Sequence, residues 1–254
     1  ITSFKLYMTY PAMIVDDEDL YKIIKALNEK GCFAGVHCEN AGVIDALIQE
    51  AKAQGKLGPE NHPLVRPDTM EAEAVHRLLV IAKEAGTPVM VVHLTNRKAY
   101  EEIIRARENG QTVFAETCPQ YLLLDDSAYS KPDFGGAVYV CAPPIRKKED
   151  QDCLWDALKK RISRPLPQIS AALPWIRRLW AGMTLQRYPA DFREYRPGER
   201  CFIPTVSVPE RSRKPDVQIF MRKSRKALWV YPKKGVIREG SDADIVVLDP
   251  ERKV

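Results

Sequence analysis

The sequence has no apolar run of the ~18–20 residues that a membrane-spanning helix requires. It also shows no positively charged segment followed by an apolar stretch and a cleavage site, the arrangement that directs export. Its six cysteines are scattered, with no CxxC pair and no dense disulfide framework. These absences lead us to expect a cytoplasmic protein with reduced thiols and without a membrane partner.

Strand-like and helix-like patterns alternate from residue 1 to about 160. The strand-like segments are ITSFKLYMTY, CFAGVHCEN, TPVMVVHLT and TVFAETCPQYLLL, and the helical ones are 19–30, 41–55, 69–86 and 96–110, each closed by a glycine. The strands are apolar on both faces, which favours a parallel sheet with helices outside it. The predicted fold class is therefore α/β. The repeating unit suits a (β/α)8 TIM barrel, in which catalytic groups lie at the C-terminal ends of the strands.

Histidine is scarce, and two of the four histidines occupy equivalent positions. His37 ends the segment FAGVH and His93 ends VMVVH, and a helix follows each of them. Such strand ends converge at the mouth of a barrel, so the pair could ligate one metal ion such as zinc, iron or nickel. A hydrogen-bonded structural role is the alternative for either residue alone. His76 is expected to pack or to face solvent, and His62, in a Pro-rich loop, could be structural or functional.

Lys5 lies in the apolar strand one unit before His37. An ammonium group that faces a barrel interior is costly unless its charge is lost or paired. Three roles remain open for it: a partner in an unusual ion pair, a Schiff-base lysine, or a lysine converted to an anionic metal ligand.

Several specific motifs are spread along the chain. They are ITSFK with Tyr10 five residues after its lysine, VHCEN, HPLVRPDTMEAEAVHR, VVHLTNRKA, AETCPQYLLLDDS, YVCAPPIRKKEDQDCLWDAL and YPKKGVIREGSDADIVVLDP. Together they resemble the cyclic amidohydrolases, and most closely the dihydropyrimidinase and D-hydantoinase family. The resemblance covers residues 1 to about 160 and resumes at 231–250. It implies a metal-dependent amidohydrolase barrel and a small β-sandwich domain.

The resemblance also implies a site and a reaction. Lys5 matches a carboxylated lysine that bridges two divalent metal ions, usually zinc, and His37 and His93 match two of their ligands. Tyr10 matches a tyrosine that hydrogen-bonds the substrate or its developing oxyanion. Ala142 falls where the family often has serine, in a contact made partly through the backbone. The implied reaction opens dihydropyrimidines and hydantoins to N-carbamoyl amino acids by metal-assisted hydrolysis.

Two parts of the family's site have no counterpart in the printed sequence. No HxH motif precedes Lys5, and no aspartate occurs between Asp156 and Asp191, where the family has a ligand and general base. We therefore expect an N-terminally truncated chain with a partial barrel at 1–160 and strands of the β-sandwich domain at 229–254. With three of six expected protein ligands, the chain alone should bind fewer than two metal ions and should not open the ring.

Residues 161–228 match nothing in the family. They hold twelve arginines and three lysines against five acidic residues, with eight prolines and neither histidine nor asparagine. We hypothesise a frameshift near codon 161, compensated near codon 228. The gene tests this: a shifted frame should encode TDHC-like and NPAK-like motifs, and the idea fails if neither frame does. The alternative, a basic nucleic-acid-binding insertion, lacks regularly interleaved aromatics and would show salt-dependent DNA binding.

Two other functions remain open from the sequence. A sister hydrolase such as a dihydroorotase or allantoinase is one, although Tyr10 and CPQYLLLDDS favour the dihydropyrimidinase type. A non-catalytic structural relative is the other, although it need not retain Lys5, His37 and His93. The expected partner is a small cyclic amide, with no nucleic acid or membrane, and the resemblance implies a homotetramer.

Overall fold

The computed structural model describes residues 3–162 and 170–171 of the chain. Five parallel strands form one sheet in the order β1-β2-β3-β4-β5, which is also their order along the chain. They are β1 Ser3–Tyr7, β2 Phe33–His37, β3 Val89–Val91, β4 Val113–Thr117 and β5 Ser170–Ala171. The helices are α1 Asp17–Glu29, α2 Ala41–Ala53, α3 His62–Val65, α4 Asp68–Glu84, α5 Arg97–Glu108, α6 Pro119–Leu123 and α7 Lys148–Ile162. Sequential parallel strands joined by helices are the arrangement of a (β/α) barrel wall.

The four predicted helices begin and end within two residues of their expected bounds. The Asn40 and Asn96 side chains cap α2 and α5 by accepting backbone N–H bonds from Val43 and Ala99. Helices α1, α2, α4 and α5 each end two residues before a glycine of positive φ, as expected.

The two faces of the sheet carry different side chains. One face packs against the helices in the main apolar core, through alternate residues such as Ala34, Val36, Val89, Val91 and Val113. The opposite face has a small apolar cluster of Phe33, Met90 and Val92 with Phe114 against it. Because side chains alternate along a strand, Lys5 and His37 project from this second face. The second face is the inner face of the barrel wall.

Gly35, beside Lys5 on that inner face, lets β2 pack closely against the segment after β3. The two residues are register partners in β1 and β2. A Cβ atom at Gly35 would lie 2.9 Å from Cγ1 of Val92, closer than side-chain contacts allow. The absence of a side chain therefore lets β2 and the segment after β3 pack closely beside the lysine.

Three local predictions are corrected by the structure. The Pro-rich loop expected around His62 contains a 3₁₀ turn at Pro59–Asn61 and then α3, which begins at His62 itself. The strand-like segment TVFAETCPQYLLL is a strand only as far as Thr117, and a short helix, α6, follows it. Strand β3 ends at Val91, so His93 lies two residues beyond the strand, with φ of 42°. A proline at the first or second position of both short helices supplies a preset φ, which explains the first two differences.

Most of the C-terminal predictions lie outside the described residues. Of segment 161–228, the structure describes only the end of α7 and strand β5, which pairs in parallel with β4. The predicted β-sandwich strands at 229–254 are not described. All five cysteines of the described part are free thiols. In the same part, no helix is long and apolar enough to cross a bilayer.

Candidate metal centre

Lys5, His37 and His93 meet at the carboxyl-terminal edge of the sheet. The Nζ atom of Lys5 lies 3.3 Å from Nε2 of His93. The ring centroids of His37 and His93 are 4.6 Å apart, edge to face. The structure thus brings together the lysine and both histidines that the sequence singled out.

Both histidines are held in the neutral state. Burial lowers the pKa of His37 to about 4, against the opposing effect of Glu39. Burial also lowers the pKa of His93 well below its usual value, and the charge of Lys5 adds to this. A neutral imidazole keeps one lone pair, which is the form that ligates a metal ion.

The pKa of Lys5 is lowered as well. The Lys5 side chain is exposed overall, but the groups that crowd its amine remove part of its hydration and lower its pKa to about 8, although the carboxylate of Glu116 acts against the shift. Within residues 3–162 and 170–171, no carboxylate lies within 4.0 Å of its Nζ atom, so the ion-pair role is not seen there. A larger share of the amine is therefore neutral near pH 7 than for an ordinary lysine, and neutral amines are nucleophilic.

Tyr10 lies beside His37 in the turn that follows β1. Its ring is 95% buried, its centroid is 4.9 Å from that of His37, and the Arg66 guanidinium lies 5.8 Å from it. Its φ of 74° is in the left-handed region, and its carbonyl accepts hydrogen bonds from the amides of Met13 and Ile14. The compact turn fixes the tyrosine against the candidate ligand.

A buried ion pair between Glu39 and Arg66 contacts His37. Nε2 of His37 lies 2.6 Å from Oε2 of Glu39, and Arg66 donates to both carboxylate oxygens, with Nε at 3.0 Å from Oε1. Burial alone would raise the pKa of Glu39, but His37 and Arg66 hold it at about 2. Glu39 is therefore an anion that accepts from both sides.

A second buried ion pair lies next to the first. Nη2 of Arg146 is 3.2 Å from Oε2 of Glu71, and Glu71 also accepts from the backbone and hydroxyl of Thr95 and from Nδ2 of Asn96. Burial raises the pKa of Glu71 and the Arg146 guanidinium opposes that shift. Arg146 also donates to the backbone carbonyl of Arg66, so the two pairs are joined. The segment just after His93 is thereby tied to α4 and to the segment before α7.

Ala142 belongs to a different segment, which other side chains hold in place. The Ala142–Pro143 peptide bond is cis. Nε2 of His62 lies 2.7 Å from the carbonyl of Cys141, and the Tyr121 hydroxyl donates to the carbonyl of Pro143 at 2.8 Å. His62 is thus a structural residue that fixes the backbone on the N-terminal side of Ala142.

Sequence reasoning missed Glu39, Arg66, Glu71 and Arg146. All four occur within the motifs that carry the family resemblance, so the signal was a charged residue inside an otherwise apolar or Pro-rich motif. His76 was expected either to pack or to face solvent. It lies on the surface, and its Nδ1 atom is 2.9 Å from Oε2 of Glu102.

The chemistry of this donor set fits a metal ion. Nδ1 of His93 is buried and has no hydrogen-bond partner among the described residues. Nζ of Lys5 lies within hydrogen-bond distance of Nε2 of His93, and a metal ion would give the amine and the two imidazoles a shared partner. In the described part, no group of three or more His, Cys, Asp or Glu side chains could hold a metal ion.

Known proteins share both the sequence and the fold. The chain is 38% identical over 261 residues to the D-hydantoinase of Geobacillus stearothermophilus and 36% identical over 252 residues to that of Streptomyces coelicolor, covering 98% of this chain and 54% of each relative. The chain belongs to the D-hydantoinase and dihydropyrimidinase family. No family model matches it.

Solved structures of the hydantoinase family support the same assignment. The dihydropyrimidinase of Brevibacillus agri superposes with a TM-score of 0.77 at 35% identity, over 96% of this chain and 53% of that one. The D-hydantoinase of Bacillus sp. AR9 gives 0.75 at 36% identity, over 96% and 54%. The chain spans about half the length of the curated relatives it matches. Its fold is a partial (β/α)8 barrel of the amidohydrolase type, which confirms the prediction.

Proposed function

We propose that this chain carries part of the active site of a metal-dependent hydrolase that opens dihydropyrimidines and hydantoins to N-carbamoyl amino acids. The observation that supports this most directly is the convergence of Lys5, His37 and His93 at one strand edge in a chain of this family. In the reaction, water adds to the amide carbonyl carbon, the ring C–N bond breaks, and the nitrogen takes up a proton.

Three residues would hold the metal ions. The resemblance implies two divalent ions, zinc being the usual one, bridged by carboxylated Lys5 and ligated by His37 and His93. When bound, such ions lower the pKa of water and polarise a carbonyl group. The lowered pKa of Lys5, about 8, supports the carboxylation, because the neutral amine adds to carbon dioxide and loses one proton to give the carbamate anion.

Two further residues would position the substrate. Tyr10 would donate a hydrogen bond to the carbonyl oxygen as negative charge develops on it, a contact that strengthens in the transition state. Its fixed turn and its contact with the ring of His37 support this role. The backbone at Ala142 would contact the ring amide, and the bond from His62 to Cys141 would hold that backbone in place.

The same resemblance supports a proposal for the location, assembly and partners of the complete enzyme. We propose a cytoplasmic homotetramer that acts on small cyclic amides, without nucleic-acid or membrane partners. Free thiols in the described part support a reducing compartment.

A chimera tests the proposed function. Residues 1–160 of this chain would replace the matching residues of the Geobacillus stearothermophilus D-hydantoinase, which supplies the rest of the barrel. The chimera should open hydantoin only when loaded with divalent metal, and Lys5→Ala or His37→Ala should abolish the activity while His76→Ala should not. A folded, metal-loaded chimera that leaves hydantoin and dihydrouracil intact would overturn the proposal. The 254-residue chain alone should show no turnover.

A further inference from the structure

The end of helix α5 holds the only asparagine in the sequence that is followed by glycine, Asn109–Gly110. In such a pair the backbone nitrogen of the glycine can form a bond with Cγ of the asparagine, because glycine has no Cβ atom to hinder the approach. The side-chain nitrogen leaves as ammonia and carries away the proton that the attacking nitrogen loses. Water then opens the resulting succinimide ring to an aspartate or an isoaspartate.

The folded turn holds the two reacting atoms apart. A planar succinimide ring needs Cβ of Asn109 and the nitrogen of Gly110 on the same side of the Cα–C bond, but at the observed ψ of 16° they lie on opposite sides. The Gly110 amide also donates to the Arg107 carbonyl at 3.0 Å, and Nδ2 of Asn109 donates to the Arg105 carbonyl at 3.0 Å. The reaction therefore requires this turn to open, with loss of the bond from Gly110.

The turn lies where opening costs little free energy. Asn109 and Gly110 are both exposed, and the ends of helices open more readily than their middles. One side chain of the last helical turn ties the segment to the sheet, since Nε of Arg107 donates to the carbonyl of Val113 at 2.9 Å, at the start of β4. This bond should slow the opening.

We propose that Asn109 is a modification site at which the side-chain amide is lost without an enzyme, and that opening of the C-terminal turn of α5 controls the rate. The inference does not depend on the proposed function. The product carboxylate cannot donate to the Arg105 carbonyl, and it places a negative charge at the end of a helix whose dipole disfavours one. Modification should therefore weaken the junction between α5 and β4.

Gln54–Gly55 is a matched site in the same chain. Gly55 has φ of 70° and its amide donates to the Lys52 carbonyl at 3.0 Å, the same turn as at Gly110, where φ is 83°. Glutamine would have to close a six-membered ring, which forms less readily. Peptide mass mapping of the full chain after incubation in mildly alkaline buffer should show conversion at Asn109, and none at Gln54 or at the other asparagines. Earlier conversion at any of these would overturn the proposal.

Urea tests whether the turn controls the rate. The folded chain should react ~10–100-fold more slowly at Asn109 than the chain unfolded in urea, because opening of the helix end costs free energy. Equal rates in the two states would overturn the control by the turn. A folded chain without product, over the time that a ~100-fold slower reaction needs, would overturn the site itself.

Two arginine variants test the same point in the folded chain. Arg107→Met removes the bond to the Val113 carbonyl and should accelerate the reaction. Arg105→Met removes the other arginine of the last turn, which is 62% exposed and paired with Glu102 within α5, and should leave the rate unchanged. Equal rates in the two variants would contradict the proposal. If Arg107→Met fails to fold, the comparison of folded and urea-unfolded wild type decides.

The effect of the product can be measured directly. Asn109→Asp reproduces one of the two products and should unfold at a lower urea concentration than wild type. Gln54→Glu adds the same charge at the end of α2, away from the junction between α5 and β4, and should lower the urea midpoint less. A midpoint that Asn109→Asp leaves unchanged would overturn the predicted weakening of the junction.

Discussion

The amine of Lys5 lies 3.3 Å from the imidazole of His93, although the two residues are 88 positions apart in the chain. Both groups are basic, and the pKa of each is lowered by loss of hydration. In the part of the chain described, no carboxylate lies within 4.0 Å of the Lys5 amine, so the two nitrogens face each other without a counter-ion. This arrangement supports the proposed metal centre.

Metal binding by the full chain should depend on His37, His93 and Lys5. His37→Ala and His93→Ala should each lower Co²⁺ affinity at least ~10-fold in a chelator-competition titration, because each removes a nitrogen ligand. His76→Ala is the control, since His76 is exposed and paired with Glu102 on the surface. Equal loss of affinity in all three variants would mean that Co²⁺ binds elsewhere.

Glu71 should contribute strongly to stability. Glu71→Gln leaves the Arg146 guanidinium buried without its countercharge, and breaking such a pair costs about 3–5 kcal/mol. Urea unfolding should show this decrease in the free energy of unfolding. Glu73→Gln, which removes a half-exposed pair with Arg77, should cost no more than about 1 kcal/mol. Similar costs for the two variants would argue against a stabilising role for the joined ion pairs.

Gly35 should tolerate no side chain. Gly35→Ala places a methyl group 2.9 Å from Val92 and should lower the free energy of unfolding by about 1–3 kcal/mol. Gly42→Ala is the matched change, because the nearest atom to its added methyl is 3.9 Å away and the residue lies in α2. It should raise stability by up to about 1 kcal/mol. If Gly35→Ala leaves the free energy of unfolding unchanged, β2 and the segment after β3 can move apart without loss of stability.

Acid should destabilise the chain partly through His62. Burial lowers the pKa of His62 to about 4, whereas the unfolded chain titrates near 6.5. The unfolded state therefore binds more protons between these values, so stability is full above pH 6.5 and falls as the pH decreases towards 4. His62→Gln keeps a donor for the Cys141 carbonyl but does not titrate. The difference in free energy of unfolding between wild type and variant should change by ~1–3 kcal/mol across this window. A difference independent of pH would contradict the assignment.

The sequence predicted the helices and strands well because their signals are local. Apolar spacing and terminal glycines both act within a few residues. The joined ion pairs could not be predicted in this way. Arg66 and Glu39 are 27 positions apart and Arg146 and Glu71 are 75 apart, so only the tertiary fold brings them together.

The candidate site was also predictable only where the sequence signal is local. Lys5 was singled out because a charge in an apolar strand is a local anomaly, and His37 because it ends a strand. The role of His62 stayed open, since its partner, the Cys141 carbonyl, lies 79 positions away in the chain. The position of His93 beyond β3, at φ of 42°, also had no sequence signal, because the apolar run VMVVH continues past the last strand residue.

The most direct test of the metal centre is an anomalous diffraction measurement at the zinc edge on crystals of the full chain grown with zinc. We expect an anomalous peak bounded by the side chains of Lys5, His37 and His93, with fewer than two zinc ions bound per chain at this site. Zinc bound only at other side chains, or no zinc between these three residues at saturating concentration, would contradict the account.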